Sequence, residues 1–491
     1  MLRLIGLGSF LCFAANFALA ASPTIKITSP ANNSTQNSTI HYVASASSPQ
    51  CAKGISQMRI YSQEHVVAYT ANSNHLDTNI HLSPGSYKTT VHAWDHCGNS
   101  STETVNITVT NANLRPAKFV FVTNASDDQV IGFRVNSSTG ALTPTGQVPV
   151  ATGDDPVFAA PDKNGYRLYV ANRKSQNISA YFIYRNDGFL HAVPGSPFSV
   201  AGTPNYVTVS PSGKFVYVGI SRPHGGGAIA AFAMHSDGSL SSIAGSPYST
   251  PYAVLALAVD PTGTYLYASR VDENINEYTI DQSTGELTPL PGEPHTIRLP
   301  DQGDCSYLCS GYVLDLATDP GGNFLIAPLE ESGSVATLTI SKSTGTLTNA
   351  RKSPFILLLP GSPTFPGATP YSVTIDANGR FVYTDGCYDC TNDTYFKYIQ
   401  QLQLSSSSGT LARANHFFDP TVCDEGTLRA DPSGKYLYVL AKTECDAESG
   451  TATQSSPPAI LAFSGSNMTM APGSPFLLKL GAQFTSIAVT P

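Results

Sequence analysis

The chain has 491 residues, 13% of them charged and 41% apolar, with 40 Gly and 35 Pro. Low charge beside an ordinary apolar share excludes a charge-driven disordered chain, and a net charge of −8 argues against a nucleic-acid partner, which calls for a basic face. The 24 Tyr, 22 Phe and many turn-forming residues favour strands over helices, so the predicted class is all-β.

Residues 1–20 read as a secretory signal peptide, with Arg3 before an apolar run and the small-x-small site Ala18-Leu19-Ala20. A secreted protein, periplasmic or extracellular, is expected. No later segment reaches the ~20 apolar residues that a membrane span needs. Eight cysteines remain beyond residue 20, at 51, 97, 305, 309, 387, 390, 423 and 445, and in an oxidising compartment they read as disulfides.

Residues 22–110 alternate in short half-buried stretches: Thr24–Ile27, Ile40–Ala46, Met58–Tyr61, Val66–Tyr69, Tyr87–Ala93 and Val105–Val109. About seven short strands in a segment of this length predict a β-sandwich. Cys51 follows the second strand and Cys97 the sixth, which suits a bridge at one end of the sandwich. A linker, 111–116, leads to a different pattern.

From residue 117 to 491 an aromatic-rich motif recurs seven times, at Phe119–Val122, Arg167–Val170, Phe215–Val218, Tyr265–Ala268, Phe324–Ala327, Phe381–Thr384 and Tyr436–Val439, with spacings of 48 to 59 residues. Most copies follow a turn such as Pro211-Ser212-Gly213 or Pro432-Ser433-Gly434. All but the last precede a second turn such as Gly285-Glu286-Leu287. A four-stranded repeat of this period is a propeller blade, and seven copies predict seven blades. The first motif lacks the strand that precedes the others, and the final residues, Phe484–Pro491, match it. The C-terminal strand is therefore expected to complete blade 1 and cover two open sheet edges.

These repeats resemble the seven-bladed lactonase-like propeller family, which includes 6-phosphogluconolactonase-type hydrolases. Phe121-Val122-Thr123-Asn124 is similar to the YVTN surface-propeller repeat. The run Gly85–Asn99 resembles bacterial immunoglobulin-like modules. The lactonase resemblance implies His, Arg and Glu around the channel mouth, with a His-bearing turn before an inner strand. Here the turns read Pro156-Val157-Phe158, Pro204-Asn205-Tyr206, Pro251-Tyr252-Ala253 and Pro370-Tyr371-Ser372, without His.

The longer repeats place their extra residues in the loops of one face, the expected binding face. Arg173, Arg222, His224 and Arg270 would make one side of its mouth basic. Glu330, Asp385, Asp389 and Glu444, with Asp304, Asp424 and Glu425 in entering loops, would make the other acidic. A carboxylate suits an Arg cluster, so the expected partner is a small carboxylate or sugar-derived ligand, or a surface protein or glycan, bound by a monomer. Lactone hydrolysis in the periplasm or outside the cell is the alternative. Cofactor and metal are both expected to be absent. Cys305/Cys309 and Cys387/Cys390 lack a nearby His for zinc, and Asp385–Asp393 lacks the calcium-loop spacing. Those two pairs read as weaker disulfides. A bridge from Cys423 to Cys445 is expected because both stand equally far from Gly434, taken as the hairpin's pivot.

Overall fold

The structure is a computed structural model that describes residues 22–37, 39–63, 66–81, 85–110, 118–272, 274–297, 312–330, 332–357, 368–388, 396–419, 427–441, 458–465, 467–479 and 482–491. Among them there is no α-helix, and one short 3-10 turn at Pro223–Gly225 interrupts an otherwise all-β chain. The chain divides into two compact units, Met1–Ala112 and Asn113–Pro491.

The first unit has eight strands: β1 (Thr24–Ser29), β2 (Ser34–Asn37), β3 (Thr39–Ser47), β4 (Ile55–Gln63), β5 (Val66–Ala71), β6 (His75–His81), β7 (Gly85–Asp95) and β8 (Ser100–Thr110). They form sheets of order β1-β3-β6 and β2-β8-β7-β4-β5. Residues two apart along the strands, such as Ile40, Tyr42 and Ala44 or Val105, Ile107 and Val109, share one buried cluster drawn from both sheets. β6 is not among the strands predicted, because HLDTNIH shows only Leu76 and Ile80 as apolar residues, and these are its buried ones. Cys51 and Cys97 are disulfide-bonded. Beside them, buried Asp95 accepts Ser48 Oγ (2.7 Å) and the amides of Cys97 and Asn99 (2.9 Å each).

The second unit consists of seven consecutive antiparallel sheets, the architecture of a β-propeller. Blade 4 is representative: Val254–Val259 inside, then Tyr265–Arg270, Asn274–Ile280 and Leu287–Pro289 outward. Four hairpins between first and second strands hold because a buried side chain caps each turn from the residue just before it, which precedes Pro211, Pro261 and Pro320 in three of them and Ala377 in the fourth. Asp260, Asp319 and Asp376 accept the amides of Tyr265 (2.7 Å), Phe324 (2.6 Å) and Phe381 (2.8 Å). Ser210 does so for Phe215 (3.1 Å).

The aromatic motif and the Gly-x-Leu turn meet across blade seams. Tyr217, Tyr267 and Tyr438 donate their hydroxyls to the carbonyls of Gly285 (2.9 Å), Gly345 (2.7 Å) and Gly140 (3.1 Å) in the next blade. A Cβ on Gly345 would stand 2.2 Å from the Tyr265 ring, and the residue has φ +76°, so glycine is required twice over. Blade 7 lacks this glycine. Buried Met468 occupies the left-handed position (φ 56°), and its amide bonds to the Ser464 carbonyl.

Phe484–Thr490 lies antiparallel to Phe119–Asn124, from Phe484↔Asn124 to Thr490↔Phe119. In blade 7, the register Leu428↔Val439 and Ala430↔Leu437 centres the hairpin between Ser433 and Gly434, half a residue from the expected pivot. The argument from symmetry about Gly434 therefore does not carry a Cys423–Cys445 bridge. Both cysteines lie outside the described residues, as do Cys305, Cys309 and Cys390, and so does the Cys387 side chain.

Candidate functional site

The inner strands share a local irregularity that positions the site. Opposite the second strand, the register slips by one residue between Pro156 and Phe158, Pro204 and Tyr206, Val254 and Ala256, Pro370 and Ser372, and Phe484 and Ser486. Such β-bulges re-aim side chains. The extra residues are Val157, Asn205, Leu255, Tyr371 and Thr485, and all five line one cavity of about 380 Å³. Ala125, Asp155, Arg173, Leu314, Asp315, Ser372, Thr427 and Gln483 complete much of its wall. All seven blades contribute, so the cavity lies at the mouth of the central channel.

Phe158, Tyr206 and Asp315 of its lining belong to a polar and aromatic cluster. The Phe158 and Tyr206 rings stack with centroids 3.8 Å apart. The Tyr206 hydroxyl donates to Asp315 Oδ1 (2.8 Å), which also accepts the Leu316 amide (3.0 Å). Asp315 Oδ2 accepts Arg429 Nη1 (3.1 Å) and the Val373 amide (3.2 Å). Four hydrogen bonds saturate this carboxylate, so Asp315 is a structural peg. Arg429 also bonds to the Leu428 carbonyl and lies 5.2 Å from the Phe158 ring centroid. Burial works against its charge, but Asp315, Tyr206 and Asp385 together outweigh that and raise its pKa. Burial and the neighbouring Asp315 hold the Tyr206 phenol well above its ordinary range, so it stays a neutral donor.

Asp155 and Arg173 also line the cavity. The Asp155 carbonyl accepts the Arg173 amide (2.8 Å), and Asp155 has φ 58°, a left-handed conformation that Asp tolerates. Arg173 is exposed and makes no ion pair among the described residues. Beside Ser372, buried Asp385 accepts its Oγ (2.6 Å) and its amide (3.1 Å), and Ser372 Oγ accepts the Leu428 amide (3.2 Å).

The residues expected at the mouth thus separate. Arg173 lines it, and Asp385 supports its wall from behind Ser372. Arg222 lines a different depression of about 570 Å³ with Gln176, Gly202 and Thr203, and bonds to Ser249 Oγ (2.9 Å). Arg270 is buried, clamping Asp272 through Nε (2.8 Å) and Nη2 (2.6 Å) and reaching Asn276 (3.1 Å). Its charge is spent within blade 4. Glu330 is half-buried at the end of its strand and does not line the cavity. The His224 side chain and residues Asp304, Asp389, Asp424, Glu425 and Glu444 lie outside the described residues. None of the described histidines lines the mouth. Asp315, Tyr206 and Asp155 are not among the residues the sequence reading selects. A carboxylate inside the apolar run Tyr312-Val313-Leu314-Asp315-Leu316 was the available signal, since a buried charge must find partners.

The model of a family described as lactonase, 7-bladed beta-propeller, matches residues 69–298, just under half of the chain. No curated protein matches significantly by sequence. Among solved structures, a candidate 6-phosphogluconolactonase of Bacteroides uniformis is 15% identical with a TM-score of 0.57, over 77% of this chain and 100% of that one. A second such candidate, from Bacteroides fragilis, is 16% identical (TM-score 0.57; 78% and 100%). The periplasmic gluconolactonase of Pseudomonas aeruginosa is 17% identical (TM-score 0.56; 76% and 99%). The second unit therefore shares the seven-bladed propeller fold of these structures.

Proposed function

We propose that this protein binds a small, hydroxyl-rich sugar derivative, a lactone or its open acid, at the channel mouth. The observation that carries the reading is the cavity to which all seven blades contribute, most of its wall hydrogen-bonding groups. Its charges balance, Asp155 against Arg173 and Asp315 against Arg429, which suits a neutral polyol better than the strongly anionic ligand an assembled Arg cluster would attract. Calorimetric titration with gluconolactone and gluconate tests this, with Arg173→Ala expected to weaken binding roughly tenfold. Affinity unchanged in an Arg173→Ala/Asn205→Ala double variant removes the mouth as the site.

Lactone hydrolysis is the second reading, favoured by the family-model match and by the lactonases among the structural neighbours. Asp155, whose carboxylate has no hydrogen-bond partner among the described residues, would activate water, and Arg173 would polarise the carbonyl. Acid release from gluconolactone that disappears in Asp155→Asn while binding remains supports it.

The remaining proposals concern context. The first unit is an immunoglobulin-like module, the chain is exported, and Phe484–Thr490 closes the ring. The Cys51–Cys97 bridge and the periplasmic neighbour lend weight to export.

A further inference from the structure

The first unit carries a surface that the propeller site does not explain. On the outer face of the five-stranded sheet, β7 presents Lys88, Thr90, His92 and Trp94 at two-residue intervals, a line of roughly 20 Å. Trp94 is the single tryptophan of the chain and is only half-buried. It stacks on His92 at 3.7 Å, the Arg59 guanidinium lies 5.4 Å from its ring centroid, and Tyr61 is 6.4 Å from His92. The register explains the grouping, since Arg59 pairs with His92 and Gln57 with Trp94 on adjacent strands.

The charges of this face are one-sided. In a protein of net charge −8, it holds Arg59 and Lys88 and, among the described residues, no carboxylate; neither cation is ion-paired there. The other outward residues of β4, β7 and β8 are Thr, Ser, Asn and Gln. Burial, with Arg59 beside it, lowers the His92 pKa, so the ring stacks as a neutral imidazole. At the Lys88 end the face runs into a depression of about 410 Å³ lined by Lys88, Asn106 and Thr108.

The geometry points to this sheet face as a binding surface for an acidic polysaccharide, whose sugar rings lie on Trp94 and Tyr61 and whose carboxylates meet Arg59 and Lys88. Flat rings take sugar faces, neutral hydroxyls and amides take sugar hydroxyls, and the two cations complement a negative chain. A single-stranded nucleic acid fits less well, because it calls for a continuous cationic groove.

Electrophoresis of the full chain through gels containing soluble polygalacturonate, dextran or single-stranded DNA, in calcium-free buffer, tests the inference. Polygalacturonate is expected to retard the protein, dextran is not, and the retardation fades with added salt. Trp94→Ala and Lys88→Glu each weaken it roughly tenfold. Lys88 is exposed, so Lys88→Glu reports on binding even if Trp94→Ala loosens the sheet. An absence of retardation, equal retardation of Lys88→Glu and parent, equal retention by dextran, or stronger retention by single-stranded DNA overturns the assignment.

Discussion

Glu277 sits where neighbouring blades hold small uncharged residues. It pairs with Tyr267 as Ala231 pairs with Tyr217 and Thr337 with Ile326. It is buried in the seam, and its Oε1 accepts the Leu347 amide of blade 5 (3.1 Å). Burial, with Glu293 adding to it, pushes its carboxyl up to about 7. A folded-state pKa raised above the unfolded value means that stability is full below the unfolded pKa and is lost as pH rises through the folded one. Between pH ~4.5 and ~7 the protein should therefore lose up to about 3 kcal/mol from this group. Glu277→Gln should remove that loss, leaving the variant more stable than the parent at pH 8 and no more stable near pH 4.5. Urea unfolding at the two pH values checks this, and a variant weaker at both would show that the ionised carboxylate contributes. Glu277 was not legible in the sequence, where it stands among ordinary strand residues. Only the seam shows that it is enclosed.

The blade seam is the unit at the scale of elements. Its sequence trace was plain, because an aromatic-rich motif and a following Gly-x-Leu turn recur in the same order through six blades. Their contact was not, since it joins residues such as Tyr267 and Gly345 across two blades. The contact makes a prediction with two magnitudes. Tyr267→Phe loses one hydrogen bond, about 1 kcal/mol. Gly345→Ala forces a methyl into the Tyr265 ring and L-residue strain at φ +76°, together roughly 2–4 kcal/mol. Thermal unfolding of both variants should rank them in that order, and a Gly345→Ala protein that melts with the parent would refute the packing argument. Blade 7 shows the tolerance of the pattern: Met468 holds the left-handed position without glycine, which is why a search for Gly-x-Leu stops at six.

For the whole molecule, the pairing of Phe484–Thr490 with Phe119–Asn124 joins the two ends of the second unit. Ile487, fully buried, packs in one cluster with Val120, Val122 and blade 7's Tyr438. Deleting residues 483–491 should uncover that cluster and leave the edge of Phe119–Asn124 unpaired. The truncated protein is expected to aggregate on size exclusion and to be cut rapidly by a protease at low dose. A monomer with unchanged melting temperature would show that the ring holds without this strand.

Blade number and class were written in the sequence, because a repeated unit leaves the same short-range pattern each time it is built. Alternation marked the strands, Pro-x-Gly their hairpins, and the unmatched first motif the place of the final strand. The binding mouth was decided only in three dimensions. One-residue bulges turned Val157, Asn205, Leu255, Tyr371 and Thr485 toward a common cavity, and no local pattern records a register slip. Nor does spacing reveal which charges neutralise one another. Arg270 looked available in the sequence and is consumed by Asp272, whereas Asp315 looked like an accident of an apolar run and ties Tyr206 to Arg429. The physical reason is that a charge's role depends on its partners: Arg270 finds its partner two residues along its own blade, whereas those of Asp315 come from blades 3 and 7.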